Sequence, residues 1–403
     1  MSSSDSTVYL DHASTGLPRA RGVADAMADA CNWPSPGRGT GGAGNAASTL
    51  DALRHALADA FHEPDADRFV LTHGATDALH LAIHGVIAAS EQARPRVLAS
   101  NFEHNAVSRP LAWLACHGQI ELVQVETMGD PAKDRVAWAE AARGGVLLAA
   151  VTCASNVVGT IFPVREIAGA IRSEAPDAIV LADACQTAGT TDLRFSGDNA
   201  LGADLAAFGA HKGHRGPPGI GALWVGPGVF DPPGCGTKVR RIEPVRIGGT
   251  AGLGKGDSPP EMLPWRFECG TPNSPAAAGW LAALRAHDLE AHHQAHILAR
   301  ELNEGLRGIN GVTVHTPLCD EIGCTGVVAF EVEGISPGEA EVVLDSSFGI
   351  ACRTGIQCSP WAHQALGTRD RGGTIRLSTG ATTTRADIDA AIAAVRELAG
   401  GVS

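Results

Sequence analysis

Apolar residues along this chain recur with two different spacings. Leu50, Leu53, Leu57 and Ala60 follow i, i+3, i+7 and i+10, the stripe of an amphipathic helix. Residues 76–89 repeat the helical spacing, with Leu79, Ala82, Ile83, Val86 and Ile87 on one face, and residues 164–173 are helical in the same way. Between such stretches lie compact apolar runs at 69–71, 97–99, 145–152, 178–182, 204–208 and 221–225. Near-continuous runs of this kind suit strands buried on both faces of a mainly parallel sheet. The alternation of strand and helix predicts an α/β fold.

The pattern changes after residue 226. Residues 226–264 are rich in Gly and Pro and read as an extended loop region. Residues 276–306 read as one long helix. The tail then alternates, with strands at 326–332 and Thr374–Ser378 and helices at 337–345 and 385–398; Ile388, Ala391, Ile392 and Val395 share a face of the last helix. This layout predicts a large domain over 20–284, and a smaller α+β domain built from 1–19 and 285–403.

Of 403 residues, 44% are hydrophobic and 19% charged, which excludes global disorder. Lys and Arg number 31 against 44 Asp and Glu, a net charge of −13 without a basic cluster. Nucleic acid and anionic membranes are therefore poor partners. The polar N-terminus lacks the basic and apolar regions of a secretory signal, and no apolar run approaches a membrane span. The ten cysteines are scattered and include no C-x-x-C pair. A reduced, cytoplasmic protein is expected, most of its thiols acting as small buried hydrophobes.

Four local patterns carry candidate chemistry. Lys212, in Phe208-Gly-Ala-His-Lys-Gly213, follows an apolar run directly; it is either an exposed strand-end lysine or a Schiff-base lysine. Asp183 ends the run Ile179-Val-Leu-Ala-Asp183, where α/β sheets build their sites; it is either a helix N-cap or the partner of a pyridine nitrogen. The 29 residues from Asp183 to Lys212 leave room for a strand-helix-strand crossover. Leu71-Thr-His-Gly-Ala-Thr76 opens a helix, as a plain cap or a phosphate cradle. Cys358 ends the loop Arg353-Thr-Gly-Ile-Gln-Cys358, as a buried loop thiol or a nucleophile.

In their order and spacing these stretches resemble the class V, fold-type I pyridoxal-phosphate (PLP) enzymes, and within them the cysteine desulfurases of the NifS/SufS type. Ser155-Asn-Val-Val-Gly159, Ala182-Asp-Ala-Cys-Gln186 and Arg266-Phe-Glu-Cys-Gly-Thr-Pro-Asn273 carry the likeness further, and it runs from Val8-Tyr-Leu-Asp-His-Ala-Ser14 to the last helix. The resemblance implies a large domain with a mainly parallel seven-stranded sheet, a smaller C-terminal domain, a homodimer and PLP as cofactor, without a metal. Lys212 would carry the cofactor and move protons, Asp183 would hold the pyridine nitrogen, and Gln186 would reach the ring hydroxyl. His104 would stack on the ring. Ala75, Thr76, His211 and, across a dimer interface, Thr250 would hold the phosphate. Asn156 would lie near the ring hydroxyl and the substrate carboxylate, Arg353 and Arg376 would bind the substrate, and Cys358 would take its sulfur as a persulfide.

Two departures stand out. Gly209 replaces a usual Ser or Thr at the phosphate, and Gln357 replaces a frequent His before the nucleophile. The resemblance implies L-cysteine as substrate, L-alanine as product and a sulfur-acceptor protein as a partner. Selenocysteine lyase, another class V aminotransferase, lyase or epimerase, and a non-catalytic sulfur-transfer partner remain as alternatives.

Overall fold

The structure, a computed structural model, describes residues 7–35, 43–231, 241–249, 257–318 and 323–401. Its strands are β1 (Val8–Tyr9), β2 (Phe69–Thr72), β3 (Arg96–Ser100), β4 (Glu121–Val125), β5 (Leu148–Thr152), β6 (Ile179–Asp183), β7 (Leu205–Gly209), β8 (Gly221–Val225), β9 (Val312–Val314), β10 (Val327–Val332), β11 (Ile350–Ala351), β12 (Arg353–Gly355) and β13 (Thr374–Ser378). The helices are α1 (Val23–Ala30), α2 (Ala43–Ala60), α3 (Ala75–Ala88), α4 (Asn105–Cys116), α5 (Pro131–Ala142), α6 (Val164–Glu174), α7 (Ser274–Arg285), α8 (Leu289–Arg307), α9 (Pro337–Phe348), α10 (Pro360–Ala365) and α11 (Arg385–Gly400).

Seven strands form one sheet in the order β2-β8-β7-β6-β5-β3-β4. All neighbours run parallel except β8, which is antiparallel to both β2 and β7. Every residue of β5, β6, β7 and β8 is buried, as their unbroken apolar runs require. A second, antiparallel sheet follows the order β12-β13-β10-β9, and β1 pairs with β11. The α/β class and the mainly parallel seven-stranded sheet thus agree with the sequence reading.

Although aromatic residues make up only 4% of the chain, several gather beneath β7. Phe61 stacks on Phe195 at 4.6 Å between ring centroids, Phe195 stacks on Trp224 at 5.0 Å, and Phe208 lies 4.7 Å from Phe61. Each such ring contributes about 1.5–3 kcal/mol through burial. Together they fix the end of the strand from which Lys212 emerges.

Several local expectations are corrected. The stretch 276–306 is two helices, because the chain breaks at Ala286-His287-Asp288 and the Asp288 side chain caps α8 by accepting the Ala291 N–H. No helix links β6 to β7; residues 184–204 run through turns. Helices α4 and α5 and strand β4 were not foreseen: α4 carries Pro110 internally, α5 has almost no apolar stripe, and β4 is largely exposed. Of the seven described free cysteines only Cys153 is buried, whereas Cys31, Cys116 and Cys358 are exposed. Cys324 is disulfide-bonded, a departure from the all-reduced expectation. Among the described residues no helix is long and apolar enough to cross a membrane.

Neutral histidines mark the seam between the two larger sheets. Burial, aided by Arg215, holds His12 down at about 4; burial and His287 hold His292 at about 3; burial and His293 hold His296 at about 4. Asp11 and Asp387 pull His12 the other way without restoring it. A lowered imidazole binds its proton more readily in the unfolded chain. Its stabilising effect is therefore present above pH 6.5 and lost as pH falls toward 4, at about 1.4 kcal/mol per pH unit and group. The urea midpoint should fall steeply between pH 6.5 and 4, and His292→Asn should flatten that decline. A midpoint flat across this window would contradict the neutral assignment.

Candidate active site

Strand alternation sets the floor of the site. On β6, Val180 and Ala182 belong to the core on one face of the sheet, and Ile179 and Leu181 to the core on the other. The two-residue period puts Asp183 with the second set, beneath α3 and α4. Thr152 on β5 follows Leu148 and Ala150 to the same face. A cleft of about 750 Å³ opens there, at the carboxyl ends of the parallel strands.

The expected cofactor residues Ala75, Thr76, His104, Asn156, Asp183, Gln186, His211 and Lys212 all line this cleft, as do Arg353, Arg376 and Cys358. Thr250 lies outside the described residues. Asp183 is buried, and its Oδ1 accepts the Cys185 N–H at 3.0 Å. His104 caps α4: its Nδ1 accepts the Ala106 N–H at 3.0 Å. Burial and the nearby Lys212 push the His104 pKa down, giving a neutral ring with its proton on Nε2. Gln186 donates one amide N–H to the Ala13 carbonyl at 3.1 Å.

The phosphate end is formed by the start of α3. Gly221 on β8 runs so close to it that a Cβ there would lie 2.8 Å from the Ala75 nitrogen, which only glycine permits. His211 lies 3.3 Å from the Thr15 hydroxyl through Nδ1; burial and Lys212 lower its pKa to about 4, so it offers hydrogen bonds rather than charge. At Gly209 the nearest atoms to an added Cβ would belong to His211 at 3.4 Å and Ala75 at 3.8 Å, ordinary contact distances. No clash at Cβ therefore accounts for the missing hydroxyl.

Cys358 sits exposed at the tip of a tightly held loop. Its carbonyl accepts the Asn105 N–H from the start of α4 at 2.7 Å. Asn156 Nδ2 donates to the Gln357 carbonyl at 2.7 Å, and the Ser359 hydroxyl donates to Asn156 Oδ1 at 2.7 Å. Gln357 and Cys358 both adopt left-handed backbone, φ 43° and 61°, a costly state for non-glycine residues that these contacts sustain. The Gln357 side chain is buried and donates to the Thr374 carbonyl at 2.8 Å, so its amide is committed to the loop's own support although the residue lines the cleft.

Asn156 thus spends its side chain clamping the loop. Asn156→Ala should loosen residues 357–359, raising amide exchange there and cutting turnover about tenfold, with cofactor absorbance unchanged. Unaltered exchange in that loop would sink the clamp.

Arg376 and Arg353 face each other in register across β13 and β12. Arg376 is buried and already engaged: Nη1 donates to the Asn156 carbonyl, and Nη2 to Asp11 Oδ1 and to the Ser14 hydroxyl, each at 2.7 Å. Arg353 is exposed at the rim. Sequence reasoning missed Asp11, Ser14 and Ser359, which hold these groups from remote segments; polar loop residues carry no periodic signal. It also missed Glu103, fully buried beside His104. Burial raises the Glu103 pKa to about 8, while its Oε1 accepts from the Ser100 hydroxyl at 2.6 Å and the Thr152 N–H at 2.7 Å.

The aminotransferase class-V family model matches residues 8–391. The chain belongs to that family. Among curated relatives, a probable cysteine desulfurase of Methanothermobacter thermautotrophicus is 28% identical over 98% of this chain and 95% of its own length. Among solved structures, the apo cysteine desulfurase of Thermococcus onnurineus NA1 superposes with TM-score 0.85 at 26% identity, covering 98% of this chain and 95% of that one. A C-DES mutant structure, with glycine covalently linked to the PLP cofactor, shares the fold at TM-score 0.78 and 20% identity, covering 98% and 97%.

The class V site fits PLP. A lysine, a buried carboxylate and a neutral imidazole converge on one cleft, with a helix start at one end and two arginines at the other. Among the described residues no group of His, Cys, Asp and Glu is arranged to hold a metal.

Proposed function

We propose that the protein is a PLP-dependent cysteine desulfurase, which moves the sulfur of L-cysteine onto Cys358 and releases L-alanine. The observation that carries this reading is an exposed thiol on a pinned loop that lines the same cleft as Lys212 and Asp183. Cys185 also lines the cleft, but burial and Asp183 raise its thiol pKa well above the ordinary value, leaving it protonated and a poor nucleophile. Bound PLP supplies an electron sink for charge left on the substrate carbon. Lys212 carries the Cα proton, Asp183 keeps the ring nitrogen charged, and Arg353 with Arg376 orients the carboxylate. The Cys358 thiolate attacks the substrate sulfur as the Cβ–S bond breaks. The bonding pair stays on the carbon, which takes a proton to become the methyl of alanine, and Cys358 is left as a persulfide.

The deciding measurement is mass spectrometry after brief exposure to L-cysteine, alongside alanine release, with L-selenocysteine assayed in parallel. A gain of one sulfur on the Cys358 peptide is expected. Alanine without that gain, or a persulfide on another cysteine, would remove this reading.

The enzyme is further read as a cytoplasmic homodimer that passes its sulfur to an acceptor protein. Exposed Val245 and Ile247 on one side of the segment containing Thr250, and Met262 on the other, support a covered face there. Sedimentation at the monomer mass would contradict it.

A further inference from the structure

A small cavity of about 30 Å³ shares a wall with the cleft, since Ala13, Cys185, Gln186 and Lys212 line both. Its other walls come from distant segments: His12 from the N-terminal segment, Arg215 from the turn after Lys212, His292 and His296 from one face of α8, and Ser378 and Thr379 from the end of β13. No carboxylate lines it. From this setting we infer that the cavity binds one small monovalent anion, of halide or hydrosulfide size, together with a proton.

Arg215 is the first reason. Its backbone is held in the left-handed region at φ 54°, unusual for a residue other than glycine. The backbone N–H donates to the Lys212 carbonyl at 2.9 Å, and the Arg215 carbonyl accepts from Ala20 at 3.0 Å. Among the described residues its guanidinium has no hydrogen-bond or ion-pair partner. The charge acts on its surroundings nonetheless, depressing His12, His287 and His292.

The histidines are the second reason. The Tyr9 backbone at His12 and the Gly213 backbone at His292 favour the protonated rings, but burial outweighs them. Both rings line the cavity and are held neutral there. Such rings attract an anion only after taking up a proton. The charges bearing on them are Asp11, Asp387 and Arg215 at His12, Arg215, His287 and His296 at His292, and His293 at His296. The two acids act on His12 from outside the cavity and do not neutralise Arg215. Size is the third reason: the space suits a monatomic ion or one or two waters and excludes organic anions.

The test uses the whole wild-type protein and bromide as probe. Crystals grown in sodium bromide should show an anomalous peak in the cavity within contact distance of Arg215. In solution, bromide should raise the unfolding midpoint by about 2 °C relative to gluconate at equal ionic strength, more at about pH 5.5 than at about pH 7.5. Arg215→Gln should abolish that difference and Arg215→Lys should keep part of it. Should Arg215→Gln fail to fold, the wild-type anomalous map still decides. An empty cavity in that map, or a bromide effect that persists in Arg215→Gln, would overturn the inference.

Discussion

Lys212→Ala is expected to give a folded protein that retains no covalently bound cofactor and turns over no L-cysteine. The chain contains four lysines, at 133, 212, 238 and 255. Lys133 sits on α5 in a surface pair with Asp130 at 3.5 Å, away from the cleft, whereas Lys212 lines it beside Asp183 and His104. In the proposed role, removing its amine takes away both the covalent attachment and the group that carries the Cα proton. The rate loss should exceed about 1000-fold, or about 4 kcal/mol of barrier. The fold should survive, because β7 is held by the aromatic cluster below it and by β6 and β8 on either side. Borohydride reduction followed by peptide mapping gives the readout. A reduced adduct on another lysine of the variant would mean that the attachment site is wrong.

Cys358→Ser should abolish sulfur transfer and leave the rest of the site in place. The groups that pin the loop touch the Cys358 carbonyl and its neighbours Gln357 and Ser359, not the thiol itself. Serine can therefore take the same backbone at φ 61° with the same partners. What changes is nucleophilicity toward sulfur: a hydroxyl does not ionise near neutral pH and forms no persulfide. Alanine release from L-cysteine should fall at least about 100-fold, while cofactor absorbance and L-cysteine binding match the wild type. A rate within a fewfold of wild type would show that another group receives the sulfur.

Gln357 shows where sequence reasoning stopped short. Read in sequence, it stands where a frequent histidine is missing, which raises the question of what replaces the proton carrier. In the folded chain its amide is buried against Thr374 and helps fasten the loop, so it carries no proton for Cys358. Asn156 shifts in the same way, from an expected substrate contact to a clamp on residues 357 and 359. Arg376 keeps its place but arrives already bound to Asp11, Ser14 and the Asn156 carbonyl.

The sequence by itself determined the layered α/β architecture and the positions of Asp183 and Lys212. Unbroken apolar runs are buried on both faces, and a charged residue at or just after the carboxyl end of such a run sits where α/β sites form. Short motifs likewise marked the start of α3 and the Cys358 loop. Only the tertiary structure decided what surrounds these groups. The break at Ala286-His287-Asp288, the turn-only crossing from β6 to β7, the Asp11–Arg376 pair and the placement of Arg215 among neutral histidines join segments up to 365 residues apart. Their energies come from burial and from single polar contacts between remote loops. Neither repeats along the chain, so neither leaves a period to read.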